Sequence, residues 1–163
     1  MANRPTLLNS CARASSAAEA RFRIGGGPRT PRSVRVVALD AAAADVVRPL
    51  TGRRWHDTRF LTYVGPAGAD RTDTVLESGD GTPVRLDDEL AGADLLVMVA
   101  VGVDGAPAVP AFGDACARHG VPTAGVVIGA CRAAVSALRP FAQVLLVTAD
   151  TGDLSALLRA VGA

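Results

Sequence analysis

Leu95 to Val103 (LLVMVAVGV), between Asp94 and Asp104, is the most apolar run of this chain. It is about half the roughly 20 residues a membrane helix needs. Its apolar residues are continuous, as in a strand covered on both faces, where a half-exposed strand would alternate. Val103-Asp104-Gly105-Ala106-Pro107 then predicts a tight turn. The next segment places Val109, Phe112 and Cys116 on one helical face, with Pro110 in the first turn. Arg118 and His119 fall in the last turn and Gly120 just after it. Strand, loop and crossover helix form the repeating unit of a parallel α/β sheet.

The same alternation extends to both sides. Val34 to Asp40 predicts the first strand, and Asp40 can cap a helix whose inner face carries Leu39, Ala43, Val46, Val47 and Leu50. Pro49 and Gly52 are expected to end that helix. Thr58 to Val64 predicts a second strand and Gly65 to Arg71 a loop. Thr74 to Glu77 and Pro83 to Leu86, joined through Ser78-Gly79-Asp80-Gly81-Thr82, predict a small edge hairpin. Asp87-Asp88-Glu89-Leu90 reads as a helical turn, its acids suited to a helix N-terminus. Further on come a strand from Thr123 to Gly129, a short helix from Cys131 to Leu138, and a strand from Gln143 to Ala149. In the last helix Leu154, Leu157, Leu158 and Val161 recur at i, i+3, i+4, i+7. The expected fold is a three-layer, Rossmann-like α/β domain with a mainly parallel sheet of about five strands and a small hairpin insertion.

Residues 1–33 carry six Arg against one acid, Glu19, and end in Gly25-Gly26-Gly27-Pro28-Arg29-Thr30-Pro31. They predict a disordered Arg-rich tail, with residues 34–163 as a single domain. An organelle presequence, or an arm for an acidic partner, would share this bias. The triple glycine precedes the first strand, at the wrong end of a sheet for a phosphate loop.

Several function classes drop out. Net charge is only +1, which argues against a general nucleic-acid or anionic-membrane binder. All 17 basic residues are Arg, so neither a Schiff-base lysine nor a phosphate-loop lysine exists. Such usage is what GC-rich, bacterial coding would produce. Cys11, Cys116 and Cys131 are too widely spaced for a zinc site or a disulfide framework. A reducing cytoplasm fits them. The first strand-helix turn, Leu39-Asp40-Ala41-Ala42-Ala43, lacks the glycines of a dinucleotide site. Arg53-Arg54-Trp55-His56 could stack a base, but reads better as a solvated turn with the Trp tucked in. Cys131, starting a helix, is the one nucleophile candidate, and no His stands near it in sequence.

Ligands of open α/β sheets collect beyond the carboxyl ends of the strands. The residues falling there, and assigned to ligand binding, are Asp40, Gly102, Asp104, Gly105, Arg132, Thr148 and Asp150. Helix N-termini on that edge favour a small anion. Asp40, Asp104 and Asp150 could also hold a hydrated Mg²⁺, although capping accounts for each, so no metal site is assigned. The expectation is a non-catalytic binding or regulatory module for a protein partner or small anionic ligand. A Mg²⁺-dependent enzyme acting on a nucleotide or phosphorylated small molecule is the alternative, and the cofactor stays open.

From Glu89 to Gly129, about 40 residues, the chain resembles the nucleotide-binding domain of the bacterial tubulin-like cell-division GTPases. The matching pieces are Gly92-Ala93-Asp94, the strand Leu95 to Val101, and Thr123-Ala124-Gly125-Val126-Val127. The resemblance implies a nucleotide-binding fold. That family's glycine-rich phosphate loop is replaced by Gly102-Val103-Asp104-Gly105-Ala106-Pro107, whose Asp repels a triphosphate unless a cation intervenes. The family's first glycine loop is missing as well. Kinship would therefore imply a chain that has lost GTP hydrolysis and polymerisation.

Overall fold

The computed structural model describes residues 32–66 and 74–163. The tail expected over residues 1–33 and the loop expected from Gly65 to Arg71 lie outside it, except for Arg32, Ser33, Gly65 and Pro66.

Seven strands form one sheet: β1 (Ser33–Ala38), β2 (Asp57–Pro66), β3 (Thr74–Ser78), β4 (Pro83–Arg85), β5 (Leu95–Ala100), β6 (Thr123–Ile128) and β7 (Val144–Thr148). The described residues form five α-helices, four of which connect strands while the last follows β7: α1 (Ala41–Thr51), α2 (Leu86–Leu90), α3 (Val109–His119), α4 (Arg132–Leu138) and α5 (Gly152–Val161), with a 3₁₀ turn at Ala106–Ala108. The strand order is β4-β3-β2-β1-β5-β6-β7. The β2-β1-β5-β6-β7 part is parallel, while β3 and β4 run antiparallel to their neighbours. The fold is thus mixed α/β and mainly parallel, as expected, but with seven strands where five were expected. β3 and β4 form the small edge hairpin expected after the second strand. β3 pairs with β2, so it extends the same sheet.

Alternation along the strands sends side chains to two cores. Val37, Leu96, Met98 and Val127 pack with Leu86 and Leu90 of α2, Phe112 and Cys116 of α3, and Leu138 of α4. Val34, Val36, Val97, Val99 and Val126 pack with Ala43, Val47 and Leu50 of α1 and Leu154 and Leu158 of α5. A slip of one residue in any of these strands would exchange its two faces, which pins the register. Gly120 ends α3 in the left-handed conformation, φ 67°, the backbone that its position just past the last turn anticipates.

Strand bounds shift by one or two residues from expectation: β1 spans Ser33–Ala38 and not Val34 to Asp40, and β2 spans Asp57–Pro66 and not Thr58 to Val64. Helix α1 holds Pro49 within it and ends at Thr51, beside the expected Gly52. The stop comes at Gly52, where the Leu50 carbonyl accepts from Arg53 N (3.1 Å) and Trp55 Nε1 (2.8 Å). Trp55 is therefore half-buried as a helix-end partner beside Phe60, while Arg53, Arg54 and His56 stay exposed. β5 ends at Ala100, one residue short of the expected Val101. Among the described residues, no helix is long and apolar enough to cross a membrane.

Candidate functional site

From β1 the chain first builds outward to β2 and its hairpin, then crosses back to β5 on the other side of β1. Strand order reverses there, and the carboxyl ends of β1 and β5 splay their connections apart. In such sheets this crevice is the ordinary ligand site. Here Asp40 occupies it. Its Oδ1 accepts from Ala43 N at 2.8 Å, capping α1. Its Oδ2 accepts from both Val101 N and Gly102 N, at 3.0 Å each. Two successive amides aimed at one oxygen make a small anion nest. The nest explains why β5 stops at Ala100: the next two amides leave the ladder for the carboxylate. Asp40 is buried, so the interaction is shielded from water.

The loop is held down on its far side as well. Gly105 is buried against the end of β1, where an added Cβ would collide with the Leu39 carbonyl. Asp40 and Gly102 are therefore in contact, and Gly105 packs against Leu39, the residue before Asp40. Asp104 is exposed in the turn between them, and Val103 beside it is 53% exposed. The other expected residues stand apart. Thr148 donates through Oγ1 to Asp153 and accepts from Asp150 N (3.0 Å), and Asp150 accepts from Gly152 N (2.8 Å). These bonds shape the β7–α5 turn. Arg132 is exposed at the start of α4. Asp40, Asp104 and Asp150 are not gathered, and no group of three His, Cys, Asp or Glu among the described residues could hold a metal ion.

Further features escape a linear reading. A cleft of about 540 Å³ runs beside α3, lined by Tyr63, Leu86, Asp87, Ala111, Asp114 and Arg118 among others. Pro107, three residues after Asp104, is also in its lining. Asp87 crosses from α2 to the end of α3, where its Oδ1 meets His119 Nε2 at 2.8 Å and Arg118 Nη2 at 3.1 Å. Hydrogen bonding from His119, then from Arg118, holds the Asp87 carboxyl below its usual range. A depressed folded-state value stabilises the fold above the ordinary carboxyl pKa, and that stabilisation disappears as pH falls through the depressed value. Acid unfolding of Asp87→Asn is expected to differ from the parent above that window and to converge with it below. Curves that stay equally separated at all pH would remove this role.

A buried ionic group lies at the opposite end of the sheet. Glu89, on α2, pairs with Arg59 Nη1 through Oε1 at 2.7 Å and with Arg35 Nε through Oε2 at 3.1 Å. The second pair is close enough to attract but is not aligned as a hydrogen bond, so Arg35 Nε and Glu89 Oε2 lack one. The signal for it was an Arg within the apolar strand Val34-Arg35-Val36-Val37, since buried Arg requires an acid partner. Cys116 is buried in the core, which pushes its thiol up to about 12 and leaves it inert. Cys131, half-buried, precedes α4 without capping it.

No protein-family model matches this chain, and no curated protein matches it either.

Proposed function

We propose that this domain is a non-catalytic binding module that presents the carboxyl edge of its sheet to a protein partner. One observation carries the reading: the anion nest at the strand-order reversal is filled by the chain's own Asp40. A phosphate entering there would have to displace a buried carboxylate that also caps α1. Features that suit a protein surface follow the filled nest along the chain: the exposed Val103, the charged Asp104, and Pro107 in the lining of the cleft. The strand order and the two helix-packed cores support reading the architecture as a three-layer, Rossmann-like domain. Kinship with the tubulin-like GTPases would then be one of fold, without the phosphate loop. A cytoplasmic location belongs to the same reading, on the spacing of the cysteines.

The small-anion and Mg²⁺-dependent nucleotide readings are tested together by thermal unfolding with phosphate, and with nucleotides with and without Mg²⁺. A ligand at a hundredfold excess over Kd adds about 2.7 kcal/mol, a shift of several degrees in a domain of this size. The expected result is no specific shift. A saturable rise that Asp104→Ala abolishes would overturn the proposal in favour of the enzyme.

A further inference from the structure

The two ends of the sheet are built differently. At one end β4 has three residues, Pro83-Val84-Arg85, between Pro and Arg, with both of these exposed. Short length, a missing N–H and a charge are the ordinary protections of a sheet edge. At the other end β7 reads Val144-Leu145-Leu146-Val147-Thr148, without charge, Pro or Gly. That is the composition of an interior parallel strand such as β5 or β6, which are buried throughout. Yet Val144 is 57% and Val147 50% exposed, on opposite faces of the pleat, and Leu145 and Leu146 are only half-covered. Among the described residues, no strand pairs with the outer side of β7.

We infer that β7 pairs antiparallel with β7 of a second copy of this chain across a two-fold axis, joining the two seven-stranded sheets into one. A two-fold contact must be self-complementary. Centring it on Leu146 sets Val144 opposite Thr148 and Leu145 opposite Val147, pairs that favour a sheet and bring no like charges together. The flanks also agree with this direction. The exposed Arg139 precedes the amino end of β7 and the exposed Asp150 follows its carboxyl end. Antiparallel pairing brings the amino flank of β7 with Arg139 in one copy to the carboxyl flank with Asp150 and Asp153 in the other, whereas parallel addition would bring like flanks together. The contact does not involve Asp40, Gly102, Asp104 or Gly105.

Sedimentation equilibrium of the full chain over the micromolar range tests the inference. The parent chain is expected to dimerise. Val144→Lys/Val147→Lys is expected to weaken the dimer at least about tenfold while keeping the parent's circular dichroism, because both side chains are already exposed. Val84→Lys on the β4 edge should leave the dimer intact. Arg139→Asp should weaken it, and Arg139→Asp/Asp150→Arg should restore it, a comparison that holds even if the lysine variant fails to fold. A parent chain that stays monomeric overturns the inference. So does a dimer that is insensitive to Arg139→Asp, or one lost through Val84→Lys.

Discussion

Asp40→Ala is expected to lower the unfolding free energy by about 3 kcal/mol, read from the urea midpoint at constant slope. Loss of the α1 cap contributes about 1–2 kcal/mol of this. The remainder comes from Val101 N and Gly102 N, which lose a charged acceptor in a half-buried loop. Asp40→Asn separates the two parts. Its amide oxygen can still cap Ala43, but its NH₂ group then faces two N–H donors and cannot accept from them. An intermediate loss is expected for Asn. The vacated nest in Asp40→Ala is also expected to take inorganic phosphate, which should restore part of the lost stability in that variant and leave the parent unchanged. A cost below about 1 kcal/mol would mean that the cap alone matters and the loop is held by Gly105 and its neighbours.

The second large effect lies at the other end of the sheet. Glu89→Ala is expected to cost about 3–5 kcal/mol, because it leaves the guanidinium of Arg35 buried without its counter-charge. The Arg35 and Glu89 side chains are only 10% and 5% exposed, so water cannot replace the lost partner. Arg59, at 46% exposure, can turn to solvent and should suffer little. Replacing the pair together, Arg35→Met/Glu89→Leu, is expected to recover most of the loss, since an apolar pair avoids the desolvation of both charges. Denaturant curves for the two singles and the double give the coupling directly. A single-variant cost near zero would show that Arg35 is served by Asp57, 4.0 Å away.

Much of the fold was legible because its signals are local. The leucines of α5 were read from spacing alone, and Leu154 and Leu158 are buried while Leu157 is half-buried. The hairpin was read from its turn residues. Its register against β2 was not, because that is set by tertiary pairing. The end of β5 was placed one residue late, at Val101, for the same reason: only the carboxylate 61 residues earlier draws the Val101 amide out of the ladder. The end of α1 was legible at Gly52, and Pro49 lies inside the helix because a proline near a helix end removes one hydrogen bond without abolishing the turn that follows. Asp40 itself was legible by half. Its capping oxygen follows from local sequence, and the oxygen that fills the nest does not.

The filled nest is the claim on which the rest depends, and backbone amide chemical shifts test it most directly. With inorganic phosphate or a nucleoside triphosphate and Mg²⁺ titrated into the parent chain, the Ala43, Val101 and Gly102 resonances are predicted to stay in place. In Asp40→Ala the same three are predicted to move together and to saturate with phosphate. Saturable movement of Val101 and Gly102 in the parent chain would contradict the account, because a ligand would then be entering the site that Asp40 is said to close.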